Sequence, residues 1–371
     1  MGRRKAVLTR PAAFPSVKPS ETEVVAPNFK RRLSGVTSTV VQLVPLQARA
    51  LRIAALGPGL PDHLPKLRFA DLRHFWRRPP GRPFRIWHAR RNIEMLPGIL
   101  LRDGLRMPLK LVFTSAAQRR HTGWTRFLIR RMDAVIATSG RSAAFLDRPA
   151  TIILHGIDLD RFGPAGPIAE GFPGRLVVGC SGRIRPQKGT DLFVAAMIEL
   201  LPDFPDWVAV ATGRATPDHA GFLAELKAKV AAAGLSERIL FPGEVADVVP
   251  WFRRFDLYVA PPRNEGFGLT PLEAMASGTP VVASDAGAFT ELVRDGVTGR
   301  VVPAGDGEAL TAAIRPFLAD DALRARAGKA ALADMQARFP LQREADEIRA
   351  VYERLWSNLP AKSASSISTT R

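Results

Sequence analysis

Short runs of β-branched and apolar residues alternate with helix-like segments along the chain, in two successive series. The first series, between residues 22 and 156, is TEVVAP, LRIAALG, FRIWHA, LKLVFTS, DAVIATS and TIILHG. The second, between residues 175 and 303, is RLVVGCSG, WVAVATG, RILFPG, DLYVAP, TPVVASD and GRVVP. Near-continuous apolar strands separated by helices are typical of parallel sheets covered on both faces. The pattern therefore predicts an α/β protein with two doubly wound, Rossmann-like domains.

Helical spacing and composition divide the chain further. Helices are expected at 36–47, 123–132, 191–201, 220–234 and 343–356, and Gly234 suits the position just after a helix. The Gly- and Pro-rich stretch 160–174 predicts the domain boundary. We expect four parts: an N-terminal domain at 1–165, a C-terminal domain at 166–340, a helix at 341–359 packing back towards the N-terminal domain, and a disordered tail at 360–371.

The positive charge is concentrated in the first half of the chain. The formal net charge is +18, with 30 Lys and Arg against 10 Asp and Glu in residues 1–165, and 23 against 25 in the remainder. Such asymmetry predicts a polyanionic partner for the first half, such as nucleic acid, an anionic membrane leaflet or a phosphorylated glycolipid. The alternative is a solvated basic surface that has no partner.

Composition also limits the compartment. The single cysteine, Cys180, excludes an internal disulfide framework. No apolar run approaches the ~20 residues needed to cross a bilayer, and the basic N-terminus lacks the apolar segment of a secretory signal. We expect a cytoplasmic protein that lies on a membrane surface without spanning it.

The stretch NEGFGLTPLEAMASG follows the predicted strand DLYVAP. Thr270 to Glu273 fits a capping box, with Thr270 as N-cap and Glu273 at the third helical position. Glu265 has no such local role, and it lies in a loop where Gly266 and Gly268 allow close backbone approach to a ligand. Because loops of this kind bind anionic ligands in α/β domains, the stretch predicts a ligand site.

Two further loops follow apolar runs. In SGRIRPQKG, Arg183 and Lys188 could neutralise a diphosphate, although the spacing is not that of a Walker A loop. The alternative is a solvated basic turn. In LSGVTST, residues 33–39, backbone N–H groups could receive a phosphate, or Ser34 or Thr37 could simply cap a helix.

The remaining motifs exclude some chemistry. The six histidines form no zinc-type spacing, and no G-x-S-x-G elbow occurs. Asp158-Leu159-Asp160 matches the D-x-D pattern that can hold a divalent metal, but it lies in a segment expected to join the domains. His121, in RRHTGW, lies between an apolar run and a helix and could face a cleft.

These strings together resemble glycosyltransferase family 4, the retaining enzymes of GT-B fold, in which two Rossmann-like domains face a central cleft. The resemblance rests on SGRIRPQKGTDLFV, on LHGIDLDRFGP and on the segment from FPGEVADVV to GRVVP, in the family's order over about residues 150–340. HGID-x-x-RF looks like the family's hinge, usually with Asn where His155 stands, which favours a hinge over a metal site. NFKRRLSGVTST, IWHARRNIEM and FTSAAQRRHTGW resemble lipopolysaccharide core mannosyltransferases of rhizobia and related bacteria.

The family resemblance implies roles for individual residues. Arg183 and Lys188 match the pair that binds the donor diphosphate. Glu265 and Glu273 match the two glutamates of the E-x7-E motif, the first expected at the donor sugar and the second at the ribose hydroxyls. The backbone N–H groups of Phe267, Gly268, Leu269 and Thr270 are expected to bind the donor. Gly35 matches the glycine of the N-terminal loop that lies near the diphosphate. In the family, a histidine after a strand of the N-terminal domain often contacts the donor sugar. This chain has Thr114 and Ser115 at that place, and His121 follows a few residues later.

The resemblance implies retaining transfer of mannose from GDP-mannose to the inner core of lipopolysaccharide, a lipid A–Kdo acceptor, with neither a metal nor another cofactor. An anionic glycolipid acceptor at the inner face of the cytoplasmic membrane would account for the basic half. The alternative is a UDP-glucose, UDP-galactose or UDP-N-acetylglucosamine donor with another glycolipid or polysaccharide acceptor. Nucleic acid is not an expected partner because no base-stacking module is present, although residues 73–91 interleave aromatics with arginines.

Overall fold

Within residues 17–31 and 35–357, which the computed structural model describes, the chain forms two all-parallel sheets of seven and six strands. The order in the first sheet is β3-β2-β1-β4-β5-β6-β7. Its strands are β1 Val24–Pro27, β2 Ile53–Leu56, β3 Lys66–Leu67, β4 Arg85–Ala89, β5 Leu109–Ser115, β6 Ala134–Ala137 and β7 Thr151–Ile152. The order reverses between β1 and β4, as in doubly wound domains.

The second sheet has the order β10-β9-β8-β11-β12-β13 and reverses between β8 and β11. Its strands are β8 Leu176–Ser181, β9 Trp207–Thr212, β10 Ile239–Gly243, β11 Leu257–Ala260, β12 Val281–Ser284 and β13 Gly299–Val302. Ligands bind at such reversal points because the neighbouring loops there diverge to opposite faces of the sheet.

Helices cover the faces of both sheets. In the described ranges they are α1 Gly35–Gln47, α2 Asn92–Ile99, α3 Gly123–Arg130, α4 Gly140–Ala143, α5 Leu159–Phe162, α6 Thr190–Leu200, α7 Ala220–Ala232, α8 Val249–Arg254, α9 Thr270–Ala276, α10 Phe289–Leu292, α11 Gly307–Ala319, α12 Asp321–Arg338 and α13 Leu341–Ser357. No helix of these ranges combines the length and the apolar character needed to cross a membrane.

The predicted fold class is confirmed. Each of the twelve apolar runs contains a strand, because β-branched residues buried on both faces favour this conformation. Gly234 follows α7 in the left-handed conformation, with φ of +69°, as a residue after a helix end often does. Strand β3 was not predicted, since two residues carry no readable pattern. The expected tail at 360–371 lies outside the described residues.

The chain passes between the two sheets at two adjacent segments. The Ile157 N–H donates to the Phe339 carbonyl at 2.8 Å, and the Leu341 N–H donates to the Ile157 carbonyl at 3.0 Å. Ile157 and Phe162 lie in the core of the second sheet, ahead of residue 165, where the sequence suggests the boundary. Beside them His155 Nδ1 lies 2.7 Å from Glu344 Oε1, which links the first crossing segment to α13.

Helix α13 packs against the first sheet. Ile348, Val351 and Tyr352 are buried in the core that surrounds β1 and β2. The Tyr352 hydroxyl lies 2.5 Å from Nδ1 of the buried His88 on β4. Burial lowers the pKa of His88 well below its usual range, so the ring is neutral. The last helix of the described chain therefore belongs to the N-terminal core, although the second domain precedes it.

Candidate active site

Two loops meet at the carboxyl edge of the second sheet, where its strand order reverses. One follows β8 and contains residues 182–189, and the other follows β11 and contains residues 261–269. The two strands are direct neighbours, with Leu257 opposite Val178 and Tyr258 opposite Gly179. A cavity between the loops is lined by Lys188, Glu265 and Thr270 among others. The sequence-predicted SGRIRPQKG and NEGFGL loops therefore form one site.

Lys188 and Glu265 form an ion pair across this site. The Lys188 ammonium donates to Glu265 Oε2, and both side chains are partly buried, with 25% and 19% of their surface exposed. Glu265 Oε1 also accepts from the Gly266 N–H at 3.0 Å. Contrary to the sequence interpretation, Glu265 thus has a local structural role. The pair places one cation and one anion side by side in a cavity with limited access to water, where charges interact strongly.

Arg263 fixes the two loops relative to each other. Its N–H donates to the Gln187 carbonyl at 3.0 Å, and its guanidinium donates to both carboxylate oxygens of Asp191 at 2.8 and 2.7 Å. Burial opposes ionisation of Asp191, but the hydrogen bonds and charge of Arg263 lower its pKa below the usual range. This fork-like pair holds the Lys188 loop against the Glu265 loop.

Two glycines permit the close loop packing. Gly189 has φ of +67°, and a Cβ there would lie 1.9 Å from the Pro261 carbonyl oxygen. Gly268 has φ of +85°, and a Cβ there would lie 2.2 Å from the Phe289 ring. A side chain at Gly189 would force the two loops apart, and one at Gly268 would push the Glu265 loop away from α10, so both glycines are required by the geometry of the site.

The predicted capping box is wrong. Helix α9 begins at Thr270 with Leu269, in a right-handed helical conformation, as its N-cap, so Glu273 is one position too late to close the box. The Thr270 hydroxyl instead hydrogen-bonds the phenol of Tyr258 on β11. The Tyr258 hydroxyl in turn donates to the Ser181 carbonyl at 3.2 Å, which ties the start of α9 to the end of β8.

Glu273 is consequently released from capping. Its carboxylate accepts no hydrogen bond within residues 17–31 and 35–357. Burial raises its pKa from an ordinary value of about 4.5 to about 7, and Arg161 only partly opposes this shift. A carboxyl group in this condition gains from a hydrogen-bonding ligand, because a ligand would replace the water it has lost.

The backbone of the Glu265 loop also has donors available. The N–H groups of Phe267, Gly268, Leu269 and Thr270 donate to no acceptor in the part of the chain that the structure describes. The Phe267 side chain is buried and packs edge-on against the His155 ring, at 4.6 Å between centroids. Phe267 thereby connects the loop to the segment that crosses between the domains.

The other sequence-predicted residues lie at separate positions around the cleft. Arg183 is exposed on the Lys188 loop. Gly35 begins α1, and a Cβ there would meet no atom within 4 Å. Thr37 does not cap this helix, since it lies inside the first turn and donates to Asn28 Oδ1 at 3.1 Å. Ser34 lies outside the described residues.

His121 lies beside the end of β5. Its Nε2 is 3.5 Å from Ser115 Oγ, and burial, helped by the charge of Arg119, lowers its pKa. Ala116, the residue after Ser115, lies close to the Glu265 loop of the second domain. A Cβ on Gly266 would lie 3.2 Å from the Ala116 carbonyl oxygen. His121 therefore contacts Ser115, and the next residue, Ala116, approaches the Glu265 loop.

Contacts across the cleft hold the carboxyl edges of the two sheets face to face. Both carboxylate oxygens of Glu291, on α10, accept from the Gly140 N–H at the start of α4, at 3.0 and 3.2 Å. Next to this contact, the Arg141 guanidinium donates to the Asp285 carbonyl. Neither contact was predicted from the sequence, because each joins segments that belong to different domains.

Cys180 lines the cavity together with Lys188 and Glu265. Burial raises the pKa of the Cys180 thiol, at the end of β8, to about 12, so it stays protonated at neutral pH. In the described ranges no group of three or more His, Cys, Asp or Glu side chains is placed to hold a metal ion. The opposed charges of Lys188 and Glu265 remain the clearest chemical feature.

Comparisons with known proteins agree with this arrangement. Residues 169–334, which include both loops, match the family model of the group 1 glycosyl transferases. The chain is 62% identical over 341 residues to the lipopolysaccharide core biosynthesis mannosyltransferase LpcC of Rhizobium leguminosarum bv. viciae, covering 90% of this chain and 97% of that protein. It is 59% identical over 345 residues to the corresponding mannosyltransferase LpsB of Rhizobium meliloti, covering 90% and 98%.

Solved structures of low sequence identity share the fold. Anabaena HepE, crystallised with UDP and glucose, superposes with a TM-score of 0.75 at 19% identity, covering 90% of this chain and 99% of that chain. Sucrose-phosphate synthase from Thermosynechococcus elongatus superposes with a TM-score of 0.74 at 22% identity, covering 91% and 100%. The GT-B architecture expected from the sequence is thereby confirmed.

Proposed function

The chain belongs to the group 1 glycosyl transferases, and from this premise we propose that it transfers mannose from GDP-mannose to the inner core of lipopolysaccharide with retention of configuration. The observation that carries the proposal is the 62% identity to a lipopolysaccharide core mannosyltransferase over 90% of the chain. The enzyme class is glycosyltransferase, and mannose, GDP and the lipid A–Kdo acceptor are the proposed specifics.

The Lys188–Glu265 pair supports a mechanism in which each residue stabilises one of the two charges that develop in the reaction. Transfer builds negative charge on the departing diphosphate and positive charge on the sugar ring. On donor binding, the Lys188 ammonium would exchange its Glu265 partner for the diphosphate, with Arg183 on the same loop as a second cation. Glu265 would then remain beside the sugar, where its carboxylate stabilises the developing positive charge. In this proposal the two cations stabilise the leaving group without a metal.

Glu273 is proposed to bind the ribose hydroxyls of the donor. Its carboxylate has no hydrogen-bond donor among the described residues and has a pKa raised to about 7 by burial. The ionised form accepts hydroxyl hydrogen bonds more strongly than the protonated form does. Nucleotide affinity is therefore expected to rise as pH increases through 7, provided that the other contacts are unchanged.

The acceptor is proposed to be an anionic glycolipid at the inner face of the cytoplasmic membrane. The N-terminal domain carries the excess of basic residues, and its sheet presents its carboxyl edge to the donor loops. Phosphates and carboxylates of an inner-core acceptor would be attracted to this domain. The acceptor and the donor would then meet between the two sheets.

A donor panel tests this function. The purified chain is incubated with GDP-mannose, UDP-glucose, UDP-galactose or UDP-N-acetylglucosamine and a truncated lipopolysaccharide acceptor, and the released nucleotide is measured. We expect acceptor-dependent release of GDP alone. Release of UDP, or GDP release that does not require the acceptor, would contradict the proposed donor or the proposed transfer. NMR of the product gives the anomeric configuration, and inversion would contradict retention.

A further inference from the structure

We propose that the outer surfaces of α2 and α3 together form a docking site for an anionic membrane, which would present the lipid-anchored acceptor to the cleft. This inference rests on the proposed function, since it concerns how that acceptor is reached. The docking face is defined by five exposed apolar side chains: Ile93 and Leu96 on α2, Leu100 directly after α2, and Trp124 and Phe127 on α3.

The apolar side chains of the docking face follow helical spacing. Ile93, Leu96 and Leu100 recur at intervals of three and four residues and are 45%, 38% and 57% exposed. The residues between them, such as Met95, face the core, so the helix is apolar on both sides. A helix that turns a second apolar stripe outward is typical of one with an additional apolar contact.

Helix α3 repeats the pattern. Trp124 and Phe127 are 53% and 47% exposed and stack on each other, with ring centroids 5.7 Å apart. Among the described residues, eight of the eleven large hydrophobic side chains with high exposure lie between residues 69 and 127, so the exposure is concentrated on one part of one domain. Scattered single hydrophobics would be ordinary, whereas a contiguous group marks an interaction surface.

The two helices run side by side, which makes the face continuous. Near their starts, Asn92 Nδ2 donates to Thr125 Oγ1 at 2.7 Å. Beyond their ends, the Arg102 guanidinium donates to the Arg131 carbonyl at 2.9 Å. Contacts at both ends align the helices in parallel, so Ile93 and Trp124 lie in the first turns of the two helices, and Leu96 and Phe127 lie about one turn further along.

The charge around the docking face has one predominant sign. Between residues 100 and 131, six arginines are exposed and Asp103 is the one exposed acidic residue, while one of these arginines, Arg126, lies 3.7 Å from the exposed Asp147. The arginines are Arg106, Arg119, Arg120, Arg126, Arg130 and Arg131. Tryptophan, phenylalanine and leucine beside arginines are the composition of helices that lie in the interface of anionic bilayers. A second copy of the chain is a poorer occupant, because a symmetric contact would bring these arginines together.

The position of the face suits a lipid-anchored acceptor. Helix α2 begins three residues after the end of β4, and α3 follows β5, so both helices start at the carboxyl edge of the first sheet. That edge faces the Glu265 loop, as the approach of Ala116 to Gly266 shows. A membrane against Ile93 and Trp124 would therefore lie beside the cleft, and a glycolipid headgroup could enter it without leaving the bilayer.

The test uses the full chain and vesicles of phosphatidylcholine with or without phosphatidylglycerol. The variant Trp124→Ser/Phe127→Ser should weaken binding to phosphatidylglycerol vesicles by about tenfold or more, because two interfacial aromatics are lost. The control Ile168→Ser/Val297→Ser removes two hydrophobics of comparable exposure, 53% and 41%, from the other half of the chain and should bind like the parent. Equal binding by both double variants would overturn the proposal.

Charge is tested separately. Arg126→Gln/Arg130→Gln should weaken vesicle binding and reduce its dependence on salt, whereas Arg326→Gln/Lys329→Gln on α12 should do neither. In the unaltered protein, brominated lipids should quench tryptophan fluorescence, and Trp124→Phe should remove a large part of that quenching. Quenching that is unchanged in Trp124→Phe, or an oligomer that the Trp124 and Phe127 substitutions dissociate, would contradict membrane docking.

The two proposals fail differently. If the docking face serves the acceptor, Trp124→Ser/Phe127→Ser should lose transfer to vesicle-embedded acceptor and retain the parent rate with a deacylated, water-soluble acceptor. Loss of both rates to the same degree would contradict a role limited to docking. Absence of turnover with GDP-mannose in the unaltered protein would overturn the proposed function and leave the vesicle result to decide the docking site.

Discussion

Lys188 and Glu265 reach each other from loops that follow two neighbouring strands, β8 and β11, and form an ion pair at the point where the strand order reverses. The pair is held in place by Arg263, which bonds both to the Lys188 loop and to Asp191. Opposite charges preorganised in a partly buried cavity suit a reaction that separates charge between a sugar and a diphosphate.

Replacing Glu265 tests the anionic half of the pair. Glu265→Gln keeps the shape of the side chain and removes the charge, so we expect kcat to fall by about 10²–10³ while the fold is retained. Glu225→Gln, an exposed glutamate on α7, is the matched control and should turn over at the parent rate. Near-parent kcat in Glu265→Gln would exclude a role in stabilising the transition state.

Replacing Arg263 tests the alignment of the loops. Arg263→Gln removes the paired bonds to Asp191, and we expect GDP affinity to fall by about tenfold because the Lys188 loop is no longer fixed. The melting temperature should change little, since the side chains of the pair remain partly accessible to water, with 38% and 29% of their surface exposed. Arg315→Gln breaks a similar exposed pair with Asp203 at 2.8 Å and should leave GDP affinity unchanged in calorimetry. Unaltered GDP affinity in Arg263→Gln would contradict the positioning role.

The raised pKa of Glu273 predicts that the stability difference between the parent and a Glu273→Gln variant depends on pH. Its pKa is raised by burial to about 7, so the folded protein binds this proton more tightly than the unfolded chain does. The associated stabilisation is fully present below about pH 4.5 and is lost as pH rises through about 7. Glu273→Gln should therefore match the parent near pH 5 and exceed it near pH 8, by about 1–2 kcal/mol after allowing for partial exposure. Thermal unfolding across this range measures the difference, and a difference that does not grow with pH would contradict the raised pKa.

The contact between Glu291 and Gly140 is expected to help to hold the cleft closed. Glu291→Ala removes the carboxylate that accepts from the Gly140 N–H, so we expect a larger radius of gyration by small-angle X-ray scattering and a higher KM for the donor. Glu237→Ala, at an exposed position of the second domain, should change neither quantity. An unchanged radius and KM in Glu291→Ala would contradict a role of this contact in holding the cleft closed.

Much of the fold could be predicted because burial on both faces leaves a direct pattern in the sequence. VVAP, LVVGCS and LYVA each become central strands for this reason. The short edge strand Lys66–Leu67 has no such pattern. The order of the strands depends on contacts between distant segments, so the partner of Glu265 could not be identified from spacing alone.

The capping box shows how tertiary contacts can outweigh a local motif. Thr270 and Glu273 have the required spacing, but the Thr270 hydroxyl bonds Tyr258 on a buried strand, and the helix begins one residue earlier than the motif predicts. The Glu291–Gly140 and Arg263–Asp191 contacts were missed because they join residues 151 and 72 positions apart. Both predicted loops lie at the site because each follows a central strand.

The most direct test of mannosyl transfer at the Lys188–Glu265 site is mass spectrometry of a truncated lipopolysaccharide acceptor after incubation with GDP-mannose. The unaltered chain should add a single hexose to the acceptor, while Lys188→Met and Glu265→Gln should add it at strongly reduced rates. An acceptor that GDP-mannose leaves unmodified and a UDP-hexose modifies would contradict the account, as would transfer at the parent rate by both variants.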